Sequence, residues 1–211
     1  AAQTSRQAMV YVAANDGLLH ALNATTGQEA WAYVPRIVMP DLWRLASDNY
    51  GNNHRYYVDG SPESGDVYFS SDSAWHTILV GGLNKGGRGY YALDITDPAN
   101  PLVLWETCAD SSLRAISDSD IGYTYGNPII TKRPSDGKWV GIFACGYNNV
   151  SPGTGRGFLY VVDAADGTIL EKIDTGVGDT TTPSGLAKIT GRAENAQTDN
   201  TASTIYGGDL L

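Results

Sequence analysis

The chain has 211 residues and a formal net charge of −9, from 14 Lys and Arg against 23 Asp and Glu. A phosphate-backbone partner wants a basic face, so this balance argues against nucleic acid, and no run of eighteen apolar residues provides a membrane span in this segment. Glycine (25) and tyrosine (13) are abundant while methionine is scarce (2), which suits many short strands and turns in an all-β fold.

Residues 1–8 read as an irregular lead-in, a cut into a longer chain, with no signal-peptide pattern. Residues 9–35 form the first unit. Val10-Tyr11-Val12 is an apolar strand, Asn15-Asp16-Gly17 a hairpin turn, and Leu18–Asn23 the returning strand. Thr25-Thr26-Gly27 turns the chain again, and Glu29–Val34 is a third strand stopped by Pro35. Three short antiparallel strands cannot bury their faces alone, so the unit should recur.

Residues 36–57 should be an insertion. After Pro40, the apolar Leu42, Trp43 and Leu45 fit one or two helical turns. Trp43 is expected to fill an apolar gap or dock the insertion. The second unit, 58–107, begins with Tyr56–Pro62 and Gly65–Phe69 as strands and Asp72–Trp75 as a turn. It continues with Thr77–Gly82, the glycine turn Asn84–Gly89, Tyr90–Asp94, and Leu102–Glu106. Trp105 stands where Trp31 stood. A polar loop, 109–121, carries Asp110, Asp118 and Asp120, read as a solvated acidic segment.

The third unit, 121–175, opens at Ile121–Ile130, turns at Pro134–Lys138, and continues through Val140–Gly146, Phe158–Asp163, the Ala165-Asp166-Gly167 turn and Thr168–Lys172. Its tryptophan is lost. A threonine-rich connector and a polar loop, 191–202, lead to a partial fourth copy within 185–211, at Thr204–Leu210. Asn23, Asp94 and Asp163 mark equivalent positions about 70 residues apart, longer than the ~40–50 of common propeller blades, so the excess lies in insertions between blades.

Cys108 and Cys145 lie in successive units, which are neighbours in a propeller. A disulfide between them and two separate buried thiols both fit. The three histidines share no metal-ligand spacing with them. There is no G-x-S-x-G elbow and no phosphate-binding loop; Gly86-Gly87-Arg88-Gly89 is a turn between strands. Of the surface loops, 35–57 and 109–120 are the candidate binding regions, with Trp43 and Tyr50 as the foremost aromatics.

The phrases VYVAANDGLLHALNATTGQEAWAYVP, YYVDGSP, GGLNKGGRGYYALDITDP, DIGYTYGNPII and GFLYVVDAADGTIL resemble the C-terminal propeller of the PilY/PilC family of type IV pilus tip-associated proteins, from Met9 to Leu211. The resemblance implies about half of a seven-bladed β-propeller with quinoprotein-like blades. It implies a non-catalytic module that opposes pilus retraction during biogenesis and adheres to host or abiotic surfaces. The implied partners are minor pilins or the pilus tip complex, and the implied location is extracellular, at the pilus tip or bacterial outer surface, after export through the periplasm.

The resemblance also implies a calcium loop just before the final Gly-Asp-Leu phrase. Counting back gives Asn195, Gln197, Asp199, Thr201 and Ser203 as oxygen ligands. Only Asp199 is a carboxylate, and Asn200 replaces the glycine of the sharp turn, so calcium binding is expected to be weak or lost. Two alternatives share such blades: a quinone-cofactor dehydrogenase and a periplasmic scaffold for outer-membrane assembly. The first needs adjacent cysteines and a tryptophan floor beneath the quinone; this chain has no adjacent cysteines, and no quinone is expected.

Overall fold

The structure, a computed structural model, describes residues 6–114, 116–133, 135–193 and 205–207. They form antiparallel sheets whose strands follow in chain order. The first sheet holds β1 (Met9–Ala13), β2 (Leu19–Asn23) and β3 (Glu29–Tyr33). The second holds β4 (Glu63–Phe69), β5 (Ala74–Gly82), β6 (Gly89–Asp94) and β7 (Leu102–Cys108). The third holds β8 (Ile129–Lys132), β9 (Trp139–Ala144), β10 (Phe158–Asp163) and β11 (Ile169–Asp174). A two-stranded sheet pairs β12 (Gly191–Ala193) with β13 (Ile205–Gly207).

The three larger sheets repeat one local design. Their last hairpins align Ala21 with Trp31, Ala92 with Trp105 and Val161 with Glu171, and each has a register irregularity immediately after that pair. The equivalent Asn23, Asp94 and Asp163 explain the turn that follows. Each side-chain oxygen accepts a backbone N–H two residues on, from Thr25, Thr96 and Ala165. A short polar side chain that imitates a backbone turn is what Asn and Asp supply.

The sheets stack face to face, and the seams between them are the core. Along β5 and β6 the side chains divide by parity. Ile78, Val80, Tyr90 and Ala92 pack toward the third sheet with Phe143 and Tyr160. Leu79, Tyr91 and Leu93 pack toward the first with Leu19, and toward Tyr57 and Val58. Both faces of the middle sheet are therefore covered, which is why β6 is buried at every residue and reads as an unbroken apolar run. Tyr90 stacks on Phe143 at 4.1 Å across one seam, and Tyr33 lies against Tyr91 at 5.5 Å across the other. β4 lies beside β8, and β8 beside β12, so the leading strands converge along one side.

The tryptophans join neighbouring sheets. Trp31 Nε1 donates to Pro98 O at 2.8 Å, in the turn after β6. Trp105 Nε1 donates to Ala164 O at 3.0 Å, in the turn after β10. Each indole of one sheet thus reaches the same turn of the next. The third sheet has Glu171 at that position, bonded to Arg133 of its own sheet at 3.1 Å.

Some sequence expectations are corrected. Tyr56–Pro62 is not a strand; Tyr57 and Val58 are buried as irregular chain, with Tyr57 N–H bonded to Asn15 Oδ1 and its hydroxyl to Asp41 O. β5 begins at Ala74, inside the expected turn. The opening of the third unit is irregular up to Ile129, with Gly122 and Tyr123 N–H bonded to Cys145 and Tyr147 carbonyls. Met39–Ala46 is helical as expected, in 3₁₀ form.

Candidate interaction surface

Two insertions, 36–57 and the loop after β7, meet at one end of the stacked sheets. A buried carboxylate ties them together. Glu106, on β7, accepts from the Tyr33 hydroxyl, from Arg36 N–H at 3.0 Å and from Arg114 Nε at 2.9 Å. One side chain therefore fixes the start of the first insertion and the middle of the second. Burial, and then the Glu106 hydrogen bond, push the Tyr33 phenol far above its ordinary range, so it stays a donor.

The first insertion is braced from within. Asp41 accepts from Arg44 Nε at 2.7 Å and from Arg55 at 3.2 Å, and Leu42 packs directly on Gly17 of the first hairpin. The second insertion is stapled by Arg88 of the glycine turn. Its guanidinium donates to the carbonyls of Ile121 at 2.7 Å and of Ser119 and Pro152 at 2.8 Å each. Gly86 passes so close to Tyr57 that an added Cβ would lie 1.6 Å from Tyr57 O.

This frame leaves an aromatic crest open. Trp43 is 64% exposed, with the Arg44 guanidinium 4.7 Å from its ring centroid. The gap-filling role expected of Trp43 is thus corrected: in the 3₁₀ helix Leu42 faces the first hairpin and Trp43 faces outward. Tyr50, His54 and Tyr56 continue the crest with ring centroids 5.6 and 5.2 Å apart, and Lys85 Nζ lies 5.2 Å from the Tyr56 ring. A cavity of about 410 Å³ beside Trp43 and Tyr50 adjoins a groove of about 830 Å³ that runs past Tyr56, Lys85 and the 108–113 loop. Arg55 and His54 line both. Arg55, Lys85 and Arg88 line the groove together with Asp41, which pairs with Arg55, and Asp110.

The acidic loop is not a solvated segment. Lys172 Nζ bonds Asp118 at 2.9 Å and Asp120 at 2.7 Å, and Thr154 donates to Asp120 through its N–H and its hydroxyl. Burial opposes ionisation of Asp120, but the bonds from Lys172 and Thr154 outweigh it and hold the carboxyl below its usual range. Asp110 caps its own turn in the open through Ser112, and Asp118 caps its own through Asp120 N–H at 2.9 Å.

Cys108 and Cys145 are free and buried. Each has its own neighbours: Cys108 Sγ donates to Asp110 O at 3.2 Å, while Cys145 Sγ receives Phe158 N–H at 3.4 Å. Of the two arrangements the sequence left open, the structure has the separate thiols: one closes the loop after β7 and the other belongs to the seam between the second and third sheets. The calcium loop positions, Asn195, Gln197, Asp199, Thr201 and Ser203, lie outside the described residues. Among the described residues no three His, Cys, Asp or Glu side chains converge to hold a metal.

The chain matches the family described as the PilY1 beta-propeller domain over residues 1–211. The chain belongs to the PilY1 family. It is 38% identical over 210 residues to a protein of Pseudomonas aeruginosa (strain PAK) titled type IV pilus biogenesis factor PilY1, covering 99% of this chain and 17% of that protein. It is 37% identical over 212 residues to a PilY1 homolog of Xylella fastidiosa, covering 16% of it. The crystal structure of the Pseudomonas aeruginosa PilY1 C-terminal domain superposes with a TM-score of 0.73 at 34% identity, covering 98% of this chain and 37% of that one. The stacked sheets are therefore blades of a PilY1-type propeller, and the chain spans about a sixth of the length of these PilY1 relatives.

The sequence singled out Trp43 and Tyr50, and both lie on the crest. It missed Glu106, Arg55, His54, Tyr56 and Lys85. The signal for Glu106 was a carboxylate inside an otherwise apolar strand, next to Trp105, where an unpaired charge could not stay. The others gave no signal, since only folding brings residues 54–56 beside residue 85.

Proposed function

We propose that this chain is a non-catalytic part of a PilY1 propeller that serves type IV pilus biogenesis, with the aromatic crest of the first insertion as its contact surface. The match to the PilY1 propeller along the whole chain carries this reading. The geometry supports it. The repeated tryptophans, Trp31 and Trp105, make inter-blade bonds to Pro98 and Ala164 in place of a single cofactor floor. Exposed aromatics on a braced insertion are the make-up of a protein-binding surface. Minor pilins or the pilus tip complex are the partners this reading names, with a host or abiotic surface as the adhesive target and the outer cell surface as the location.

The test is an exchange. The corresponding segment of the Pseudomonas aeruginosa protein is replaced by this chain, and sheared surface pili and twitching zones are measured with and without the retraction motor. Piliation in both backgrounds is expected, with Trp43→Ala and Arg55→Glu lowering pili only when the motor is present. A chimaera that is secreted intact yet leaves the cells without pili would overturn the reading.

A further inference from the structure

A second pocket lies on the opposite flank, where the β4–β5 hairpin of one blade meets the β8–β9 hairpin of the next. Its volume is about 430 Å³, within the range of small-ligand sites. Two buried donors belong to it and have no acceptor. Lys132, 3% exposed, has no partner for its ammonium, and Trp139 has none for its indole N–H, among the described residues. The ammonium has only the Trp139 ring, 5.6 Å from Nζ. Burying a donor without an acceptor is costly, and for an ammonium more so. Such a pair persists where an occupant completes it.

The rim is aromatic. Tyr68, Phe69 and Trp139 line the pocket, and Trp75, outside the lining, packs against Tyr68 and Trp139 at 5.7 Å each. The pocket is also lined by Asp136, Asp163, Asp166 and Lys138. Asp136 is held by Arg133 and Asp163 by Lys138, while Asp166 stands exposed at the mouth. This composition discriminates between ligand classes. Asp136 and Asp163 are already neutralised by Arg133 and Lys138, which leaves Asp166 against the Lys132 ammonium and no net charge to select either an anion or a cation. A neutral ligand rich in hydroxyls satisfies both sets: it donates to the aspartates, accepts from Lys132 and Trp139, and lays its C–H face on the aromatic rim.

We propose that this pocket binds a neutral sugar residue of a glycan. Lys132 Nζ and Trp139 Nε1 are themselves buried although both residues line the pocket, so the flexible lysine stem must rotate for its ammonium to meet the occupant. The site is separate from the aromatic crest, so it stands or falls independently of the pilus reading.

The test is saturation-transfer NMR on the purified protein, with methyl β-galactoside, methyl β-glucoside, methyl α-mannoside and methyl β-lactoside as neutral probes and N-acetylneuraminate as the acidic comparator. At least one neutral glycoside is expected to receive saturation at millimolar concentration, and N-acetylneuraminate none. Tyr68→Ala and Asp166→Asn change exposed side chains that line the pocket, so both should fold and weaken binding at least tenfold. Lys132→Met removes a buried unpaired charge; it should keep or raise Tm while weakening binding equally, a combination that a purely structural lysine would not give. Trp43→Ala should leave binding unchanged. The proposal is overturned if no neutral probe binds, if N-acetylneuraminate binds as well as they do, or if Tyr68→Ala and Asp166→Asn leave binding intact.

Discussion

Trp105 and Trp31 occupy the same register and make the same bond, but they differ in burial. Trp105 is buried, while Trp31 is half-buried. Removing Trp105 deletes a large side chain from a seam together with its bond to Ala164 O. Trp105→Ala should therefore cost about 3–5 kcal/mol, the usual range for a buried aromatic truncated to Ala. Trp105→Phe keeps much of the packing and loses the bond, so it should cost about 1–3 kcal/mol, the penalty of the stranded Ala164 carbonyl. Trp31→Ala should cost less than Trp105→Ala. Urea unfolding of the three variants checks the order. At the same scale, His76 sits between Asp94 at 2.6 Å and Asp72 at 2.9 Å. Burial works against its protonation, but bonds to the two carboxylates outweigh this and raise its pKa. Because the folded-state value lies above the unfolded one, the stabilisation is complete below about pH 6.5 and is lost as pH climbs through the raised value. Melting temperature should fall across that window on the alkaline side, and His76→Gln should flatten the fall.

The blade's last hairpin is an element whose glycine does two different jobs in two copies. Gly27 and Gly167 occupy equivalent turns, with φ of +71° and +75°. Around Gly27 nothing lies within 4 Å of the point an alanine methyl would occupy, so Gly27→Ala should carry only the left-handed backbone cost of about 1–2 kcal/mol. At Gly167 the same methyl would lie 2.6 Å from the Trp105 ring. Gly167→Ala should cost clearly more than Gly27→Ala and should be partly relieved in a Trp105→Ala background, which removes the ring atoms nearest the methyl. Thermal melts of the single and double variants measure this coupling. The repeat was legible at this scale because Asn23, Asp94 and Asp163 each close an Asx turn, a local bond that leaves its mark on sequence. The strand expected at Tyr56–Pro62 was not legible as irregular chain, because its burial comes from Asp41 and Asn15, sixteen and forty-two residues away.

Across the whole molecule, the two insertions are coupled through Glu106. Glu106→Gln removes the charge that Arg114 meets, and should cost about 3 kcal/mol, the low end for breaking a buried ion pair. Arg114→Met in the same chain should return part of that loss, which a double-mutant cycle on urea midpoints would measure. Hydrogen exchange should show residues 36–57 and 109–114 loosening together in Glu106→Gln. The molecule also shows an asymmetry between its sheets. The middle blade is covered on both faces, whereas in the first blade Val10 and Val12 are exposed on the side away from the second. Apolar side chains in alternation on an uncovered strand are a surface that another blade or chain would cover.

Strand periodicity, Asx turns, the glycine turns and the placement of Trp31 and Trp105 are local or repeated features. The amino-acid order alone therefore determined an all-β chain of recurring blades and its helical turn after Pro40. Contacts between distant residues were decided only by the stacking of the sheets. That stacking turned Trp43 outward, kept Cys108 and Cys145 apart, drew Asp118 and Asp120 onto Lys172, and left Lys132 and Trp139 without acceptors. The physical reason is that backbone geometry and turn bonds act over a few residues, whereas burial and charge pairing depend on which face each blade turns to its neighbour.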